Sequence, residues 1–545
     1  MIKSKLILNW KLPPPWLRFL IIVLLVLGIF FRFVNLDRKF YWWDETYTSL
    51  RISGYTETEL VQQVSGGHVI GIKDLQKYQR PNPEKGFIDT IKSLAVEEPQ
   101  HPPLYFAIAR FWMQWLGSSV AVTRSLSALI SLLAFPCIYW LCLELFESSL
   151  VGWIAMALIA VSPFHLLYAQ QAREYSLWTV TILLSSAALL RAIRIQTKLS
   201  WVMYTATITL GLYAFTFSGF VALGHGVYVI ANDREALASF RASRLRLSKT
   251  VSAYLFALLV GLLTFAPWLL VLITNSSAVR RATAWTVKKH NLLYLVKAWV
   301  SDLSRVFLDL GLDRDSGALL VPLIFFIPIL LILVGYSLYY LWRKTPKHIW
   351  LFILTLIGVT ALSLILPDVI FGGRSSTTAR YLIPCYLGVH IAIAYLLATQ
   401  ITFTVNIQRQ KLWQLVMIVL VSSGVLSCAI MSPASDWWNT GYYDAEVERI
   451  INQATYPLLI SDIEIADILS LSYRLDPKVR LQIEPQCYTC RLDSQLVVEP
   501  NKPKIPDGFS DVFLYMPSKR LRRGLEKEYK IEPVNERGTL SRLLH

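Results

Sequence analysis

Two adjacent carboxylates, Asp44 and Glu45, directly follow three aromatic residues just beyond the first apolar segment of the chain. Aromatic side chains at such a position are typical of the boundary between a membrane and water. A carboxylate at that boundary could act as a general base that takes a proton from an acceptor hydroxyl or amine. The structural alternative is that the two carboxylates cap an interfacial helix that opens at Trp43.

A second polar cluster is the string Glu97-Glu98-Pro99-Gln100-His101-Pro102-Pro103-Leu104-Tyr105. Its prolines hold the backbone extended and present His101 at the start of the next apolar stretch. A lone histidine beside prolines is usually structural, but two carboxylates precede this one. The sequence contains no strong metal motif, and Glu97, Glu98 and His101 are the residues we consider for a divalent ion.

Arg173 and Glu174 lie in a third cluster, the string Gln170-Gln171-Ala172-Arg173-Glu174-Tyr175-Ser176, at the end of an apolar segment. Charged side chains at the end of a span are costly, so these two need either a partner or a function. They could form a structural ion pair with each other, or they could serve a site at the membrane surface. Arg124, inside a predicted span, is another costly cation.

The fourth cluster runs from Gly372 to Pro384 and contains Arg374, Arg380 and Tyr381. Two guanidiniums, four hydroxyl side chains and a glycine pair suit a phosphate or pyrophosphate, because the arginine fork matches phosphate oxygens and glycine lets the backbone approach. The alternative for Arg380 is that it anchors its helix at the interface by extending toward the lipid headgroups.

Membrane helices must position these clusters, because 54% of the 545 residues are apolar, 17% are charged and the mean hydropathy is +0.45. Apolar segments of spanning length recur, which excludes a soluble enzyme, a disordered scaffold and a secreted disulfide module. The stretch 201–231 could be two short spans that meet near Thr216 to Gly219, or one long tilted helix. We predict eleven spans, at 16–34, 119–143, 150–167, 176–190, 201–214, 216–231, 251–274, 318–341, 349–366, 381–400 and 412–431.

The positive charges predict the orientation of these spans and do not point to nucleic acid, although the formal net charge is +16. Four short loops hold 13 Lys and Arg in 47 residues, and eleven spans place all four loops inside, with a cytoplasmic N-terminus and an external C-terminus. The stretch 103–116 is too short to span and is predicted to be an interfacial helix. All four polar clusters then lie on the outer face, which suggests a plasma (inner) membrane protein with an external site.

The fold class predicted is an all-α polytopic membrane domain, 1–431, followed by a small extracytoplasmic α/β domain, 432–545. Cys487 and Cys490 would be a metal half-site or a redox motif in the cytosol, whereas an oxidising compartment favours a local disulfide or two free thiols. In the tail we predict helices at 443–454, 463–471 and 518–530 and strands at 457–460, 479–483 and 512–516.

The four clusters, in this order, resemble the dolichyl-phosphate-mannose protein mannosyltransferase-like family, with the lipid A aminoarabinose transferases as relatives. The resemblance rests on the acidic pair, on HPPLY at 101–105, on SPFHLLYAQQAREYS at 162–176 and on ARYLIP at 379–384, and it covers about residues 16–400. It implies a GT-C fold, a polyprenyl-phosphate-linked sugar as donor, and an active site at the outer face that involves the first external loop. The acceptor varies across the family, so the resemblance does not imply one.

The resemblance also implies residue roles. Asp44 matches the position of the catalytic acidic residue, Glu45 is its neighbour, and Glu174 falls near a second acidic residue. With the cations described above, the residues expected to bind the donor and its lipid phosphate are His101, Arg124, Arg173, Arg374, Arg380 and Tyr381.

The sequence thus predicts a membrane glycosyltransferase that moves a hexosyl or pentosyl group to a lipid, glycan or protein acceptor. One carboxylate acting as base predicts a single displacement with inversion, and cations would stabilise the departing lipid phosphate. This chemistry requires no cofactor, and a divalent metal ion is kept as an alternative. The competing functions are a transporter or flippase of a polyprenyl-linked glycan, which would carry its charges near the midplane, and a ligase or polymerase of whole glycans.

Overall fold

The computed structural model describes residues 13–233, 248–312, 320–403, 406–438, 445–490 and 504–544. The chain divides into two compact units, which we call unit 1 and unit 2. Unit 1 comprises Met1–Leu36, Arg124–Leu269 and Ala284–Ala434, and unit 2 comprises Asp37–Thr123, Leu270–Thr283 and Ser435–His545. The sequence predicts two domains that are each continuous in the chain, 1–431 and 432–545, whereas each of these units combines separate stretches. The predicted domains stay a prediction.

Unit 1 and its borders consist of apolar helices joined by short connections. Their apolar side chains pack on one another or face outward, as the exposed Phe19, Leu263 and Ile332 do. The α-helices are Pro15–Phe33, Val120–Leu132, Ala134–Phe146, Ser149–Ala160, Pro163–Ala169, Tyr175–Ile195, Lys198–Ala214, Ser218–Asn232, Lys249–Thr274, Leu292–Ser304, Leu320–Lys344, Lys347–Phe371, Ile383–Phe403 and Ile407–Met431, and the 3₁₀ turns are Ala284–Val287, Ser375–Thr377 and Ala379–Leu382.

Helices occupy all eleven of the predicted regions, and eight of the described helices are long and apolar enough to cross a membrane. A ninth is added if Ser149–Ala160 and Pro163–Ala169, which are bent by 62°, count as one span. The stretch 201–231 forms two helices of 17 and 15 residues that meet at Phe215–Phe217. The chain is therefore an integral membrane protein, while the number of eleven spans stays a prediction.

Unit 2 contains a six-stranded sheet whose strands are β1 (Val69–Gly71), β2 (Pro457–Ser461), β3 (Arg480–Ile483), β4 (Asp511–Tyr515), β5 (Lys530–Pro533) and β6 (Leu540–Leu544). The strand order is β1-β3-β2-β4-β6-β5. Strand β2 runs parallel to both β3 and β4, and the other pairs are antiparallel. The three strands predicted in the tail are confirmed, whereas β1, β5 and β6 were not predicted.

The helices of unit 2 pack on the sheet and share its apolar core. Leu50 and Leu60, from the segment after the first span, are fully buried in the same cluster as Leu459, Leu481 and Phe513 of the sheet. The predicted basic helix 518–530 is shorter, because the chain turns into β5 at Lys530. The helices are Trp43–Ser53, Glu57–Val64, Ile72–Gln76, the 3₁₀ turn Lys77–Gln79, Phe87–Glu97, Leu104–Leu116, Ser276–Ala282, Ala445–Gln453, Ile465–Ser472 and Lys519–Leu525.

The stretch 103–116 forms the 13-residue helix Leu104–Leu116, which is too short to span a bilayer. Its Arg110 is buried and donates hydrogen bonds to the carbonyl oxygen of Ile52 at 2.8 Å and to the hydroxyl of Thr90 at 2.9 Å. This arginine therefore fixes the helix inside unit 2.

Candidate active site

In unit 2, the acidic pair lies in the first turn of the helix Trp43–Ser53. Trp42 is the extended residue that precedes this helix, and Gly54, with φ +90°, ends it in the left-handed conformation. Carboxylates in a first turn interact favourably with the helix dipole. Asp44 is half-buried and Glu45 is fully buried, so of the two Asp44 is the more accessible to an acceptor.

The indole of Trp43 ties the start of this helix to the tail, because its Nε1 donates a 2.7 Å hydrogen bond to a carboxylate oxygen of Asp467. Burial raises the pKa of Asp467 to about 6, and the bond from Trp43 opposes that rise. Tyr41 adds a second contact, with its ring centroid 4.7 Å from that of Tyr473. The acidic pair is thus held by tail residues that the sequence did not point to.

Glu97 and Glu98, two of the residues considered for a divalent ion, both bind Arg51. The fully buried Arg51 donates from Nη1 to Glu97 and from Nε to Glu98, each at 2.7 Å. Burial raises the pKa of Glu97, but the charge of Arg51 and the hydrogen bonds from Thr58 and the backbone together outweigh it, so that the pKa is lowered. Among the described residues no group of three or more His, Cys, Asp or Glu side chains is placed to hold a metal ion. His101 lies half-buried beyond this pair, with its ring centroid 6.3 Å from that of Phe106.

The tail cysteines form a disulfide, Cys487–Cys490. Of the two alternatives predicted for an oxidising compartment, a local disulfide or two free thiols, the disulfide is observed. The loop between them cradles the buried carboxylate of Glu57. The backbone N–H groups of Tyr488 and Thr489 donate to its two oxygens, both at 2.7 Å. Tyr47, on the helix of the acidic pair, donates its hydroxyl to Glu57 at 3.0 Å. The disulfide loop therefore supports that helix through Glu57.

In unit 1, Arg173 and Glu174 form a buried ion pair, with Nε and Oε2 3.4 Å apart. The structural alternative for these two residues is thus observed, and their role in transfer stays a prediction. The backbone carbonyl of Arg173 accepts a hydrogen bond from Ser127 at 3.1 Å. Arg124 donates to the carbonyl oxygen of Leu36 at 2.7 Å, so it contacts the end of the first span.

Three arginines and three aromatic rings of unit 1 lie in one row, and we call this row the arginine–aromatic ladder. It consists, in spatial order, of Arg173, Tyr175, Arg380, Tyr381, Trp285 and Arg374. Each guanidinium carbon lies 5.4–5.7 Å from a ring centroid of the ladder, within the range for cation–π attraction. The rings of Tyr381 and Trp285 are 6.5 Å apart.

Further aromatic rings lie against the ladder. Phe215 lies 6.0 Å from Tyr175, and Phe217 lies 4.8 Å from Tyr381, measured between ring centroids. Both phenylalanines belong to the break between the two short helices, where the chain leaves helical geometry. The ladder therefore combines fixed cations with an apolar aromatic surface, an arrangement that suits a ligand with a phosphate next to a hydrocarbon chain.

The turn that carries Arg374 is held from two sides. The buried carboxylate of Asp368 accepts the backbone N–H of Ser376 at 2.6 Å, and the backbone N–H of Arg374 donates to the carbonyl of Thr286 at 2.8 Å. A Cβ on Gly373 would lie only 2.5 Å from Oδ1 of Asp368, so a larger residue here would force the carboxylate that holds the turn to move. Among the described residues, Nε of Arg374 has no hydrogen-bond partner.

The structure thus brings the predicted site residues together in two groups. Four of the predicted phosphate-binding residues belong to the ladder of unit 1, and the acidic pair belongs to unit 2 with His101, Glu97 and Glu98. Sequence reasoning missed two kinds of residue. The first kind is aromatic and lies in or against the ladder: Tyr175, Phe215, Phe217 and Trp285. The second kind holds the helix of the acidic pair: Arg51, Glu57 and Asp467.

No protein-family model matches the chain, and no curated protein matches it. Among solved structures it is similar to ArnT from Cupriavidus metallidurans bound to undecaprenyl phosphate, with a TM-score of 0.49 and 12% identity over 97% of each chain. The apo structure of the same ArnT gives a TM-score of 0.49 and 13% identity, again over 97% of each chain. The archaeal oligosaccharyltransferase AglB from Archaeoglobus fulgidus, in complex with an inhibitory peptide and a dolichol-phosphate, gives 0.48 and 11% over 97% of this chain and 74% of that one.

ArnT is a lipid A aminoarabinose transferase, and ArnT and AglB are both GT-C glycosyltransferases, the class that the sequence motifs resemble. These overlaps have TM-scores below 0.5 and identities of 13% or less.

Proposed function

We propose that this integral membrane protein is a glycosyltransferase that uses a polyprenyl-phosphate-linked sugar and acts at the extracytoplasmic face of the plasma (inner) membrane. The observation that carries the proposal is the arginine–aromatic ladder of unit 1. Cations in a membrane protein are costly, and three arginines in one row, of which Glu174 pairs with Arg173, suit a ligand of opposite charge. A phosphate attached to a prenyl chain supplies both the charge and the apolar surface.

The ladder would serve the leaving group of the reaction. When the sugar leaves its lipid carrier, negative charge develops on the lipid phosphate, and fixed guanidiniums stabilise that charge without reorganising. Arg374 and Arg380 suit this role because a ring contacts the flat face of a guanidinium and leaves its in-plane N–H groups directed elsewhere. Tyr381 and Arg173 complete the proposed phosphate site, and His101 and Arg124 stay predicted contacts of the donor.

The acceptor would be activated by Asp44. A carboxylate in the first turn of an anchored helix, half-buried, can accept a proton from a hydroxyl or amine. Attack by that acceptor on the anomeric carbon, with loss of the lipid phosphate, is a single displacement with inversion. Glu45 and Glu174 are the alternative bases, but Glu45 is fully buried and Glu174 is paired with Arg173.

The phosphate site is tested by lysine substitutions. Arg374→Lys and Arg380→Lys keep the charge and remove the planar fork, so donor use should weaken by about 1–3 kcal/mol, or about 5- to 150-fold. The measurement is the donor concentration dependence of turnover, with folding checked by thermal shift. Arg409→Lys, at an exposed position of the helix Ile407–Met431, is the matched control. Wild-type donor saturation and rate in both ladder variants would place the phosphate elsewhere.

The base is tested by Asp44→Asn, which keeps the size and removes the proton acceptor. Turnover should fall about 100-fold or more with donor binding retained. Asp37→Asn, an exposed carboxylate of the same unit, is the control. Near-normal turnover in folded Asp44→Asn protein would shift the role to Glu45 or Glu174.

The product distinguishes the competing functions. A transferase given a labelled polyprenyl-phosphate sugar and cell-envelope acceptors releases polyprenyl phosphate and labels the acceptor. A transporter or flippase moves the intact lipid-linked sugar, and a ligase or polymerase transfers whole glycans. Movement of intact donor across vesicles without release of polyprenyl phosphate would contradict the proposal.

A further inference from the structure

A groove of about 1130 Å³ opens between two helices of unit 1, Lys198–Ala214 and Lys249–Thr274. It lies at the end of the first helix that is remote from Phe215 and the ladder. A 17-residue helix is about 25 Å long, so the groove is distinct from the candidate active site. The residues that line it are Gln196, Lys198, Trp201, Val202, Thr205, Asp233, Ser248, Lys249, Thr250, Ala253, Phe256 and Ala257.

The polar end of the groove is held by hydrogen bonds between helix termini. Gln196 donates from Nε2 to the hydroxyl of Thr250 at 3.1 Å and accepts from Nε1 of Trp201 at 3.4 Å. The hydroxyl of Ser248 donates to the carboxylate of Asp233. The amide and the acidic side chain of this end are thus already engaged with protein groups.

Two lysines supply the remaining charge at this end. Lys198 and Lys249 are both exposed, and neither forms an ion pair with any residue of the ranges that the structure covers. With one carboxylate and two ammonium groups, the rim carries a net positive charge. The rim therefore attracts an anionic group.

The wall of the groove is apolar. Val202 and Phe256 are 62% and 68% exposed, and the small side chains of Ala253 and Ala257 also line the groove. Such a wall next to a cationic rim fits a ligand with an anionic head and a hydrocarbon chain. The volume of about 1130 Å³ is slightly above the range for small-molecule pockets, about 300–1,000 Å³. It accommodates a headgroup and the first part of its acyl chains.

We propose that this groove is a binding site for an anionic glycerophospholipid. The lipid phosphate lies at Lys198 and Lys249, and an acyl chain lies along Val202 and Phe256, with the indole of Trp201 at headgroup depth. The positive-inside pattern puts these helix ends on the cytoplasmic side, where anionic lipids meet basic pockets between membrane helices. The site is separate from donor binding and does not depend on the proposed transferase activity.

The test is native mass spectrometry of the purified full-length protein with phosphatidylglycerol or phosphatidylcholine. We expect wild type to retain phosphatidylglycerol in preference to phosphatidylcholine. Lys198→Gln/Lys249→Gln removes the charge of the rim, and Ala253→Trp fills the groove without changing charge. Each change should weaken phosphatidylglycerol retention at least tenfold. The first variant alters only exposed side chains, so the proposal stays testable even if the tryptophan variant does not fold.

The matched controls make the same types of substitution at positions that do not line the groove. Arg409→Gln/Lys411→Gln removes two cations on the same predicted side, and Leu255→Trp adds an indole at an exposed position that does not line the groove. Both controls should retain the lipid as wild type does. Equal retention of the two lipids by wild type, or wild-type retention in Lys198→Gln/Lys249→Gln, would overturn the proposal.

Discussion

Replacement of Arg51 by methionine should destabilise unit 2 strongly. Arg51 is fully buried, and its partners Glu97 and Glu98 are 3% and 8% exposed. Methionine fills a similar volume but leaves two carboxylates without their cation. Removal of one partner of a buried ion pair typically costs about 3–5 kcal/mol, because the other charge stays buried without compensation.

The structure places the expected loss near the lower end of this range. Glu97 keeps three other donors, which are the backbone N–H groups of Glu57 and Thr58 at 2.7 and 3.1 Å and the hydroxyl of Thr58 at 2.6 Å. A loss of about 3 kcal/mol in a unit of this size corresponds to a drop of about 6–12 °C in the unfolding midpoint.

The loss should also depend on pH. In the wild type the pKa of Glu97 is lowered below its ordinary value, so its contribution to stability is present above that ordinary value and is lost as the pH falls through the lowered pKa. Without Arg51 the largest of the effects that lower the pKa of Glu97 is lost, so this pKa rises relative to the wild type and the carboxylate takes up a proton more easily. The difference in midpoint between Arg51→Met and wild type should therefore shrink from pH 8 to pH 5.

The assay is a thermal-shift series of detergent-purified protein from pH 8 to pH 5. Arg522→Met is the control, since Arg522 and Glu526 form an exposed pair at 3.0 Å, and such pairs contribute about 0–1 kcal/mol. The reasoning is refuted if Arg51→Met lowers the midpoint no more than Arg522→Met does, or if the difference from wild type grows as the pH falls.

Two further predictions concern the turn before Arg374 and the orientation of the chain. Gly373→Ala should weaken donor use, because the new Cβ would lie 2.5 Å from Oδ1 of Asp368. Gly358→Ala is the control and should leave donor use unchanged, because its new Cβ would have no neighbour within 4 Å. Donor saturation curves of both variants check this prediction. A reporter fused after His545 should be active only outside the cytoplasm, and cytoplasmic activity would contradict the eleven-span topology.

The helices were predictable from the sequence because their signal is local. Each apolar segment of sufficient length is a helix in the structure, and the break at Phe215–Phe217 falls where the 201–231 stretch is interrupted. Strands β2, β3 and β4 were predictable for the same reason. Strand β1 was not, because three residues in a polar segment show no periodicity, and its pairing partner, Arg480–Ile483, is far along the chain.

The cations of the site were predictable, whereas its aromatic residues were not. Arg374 and Arg380 stand out because they follow a glycine pair and flank four hydroxyl side chains at the predicted mouth of a span, a pattern that suits a phosphate. Tyr175 and Trp285 do not stand out in a chain with 18 Trp, 26 Tyr and 25 Phe, where a membrane-interface role explains any one of them. Only the three-dimensional order of rings and guanidiniums separates them from the others.

The partners of each arginine distinguish a structural cation from one that can bind a ligand. Arg51 is matched by two carboxylates at 2.7 Å, so its charge and its N–H groups serve the fold of unit 2. Arg374 instead lies 5.4 Å above the ring of Trp285, and a ring attracts the cation without neutralising it or accepting its in-plane N–H groups. A phosphate can supply a formal negative charge and acceptors in the plane of the guanidinium, neither of which the ring provides. This difference, rather than the presence of arginine itself, supports the proposal that Arg374 binds the lipid phosphate.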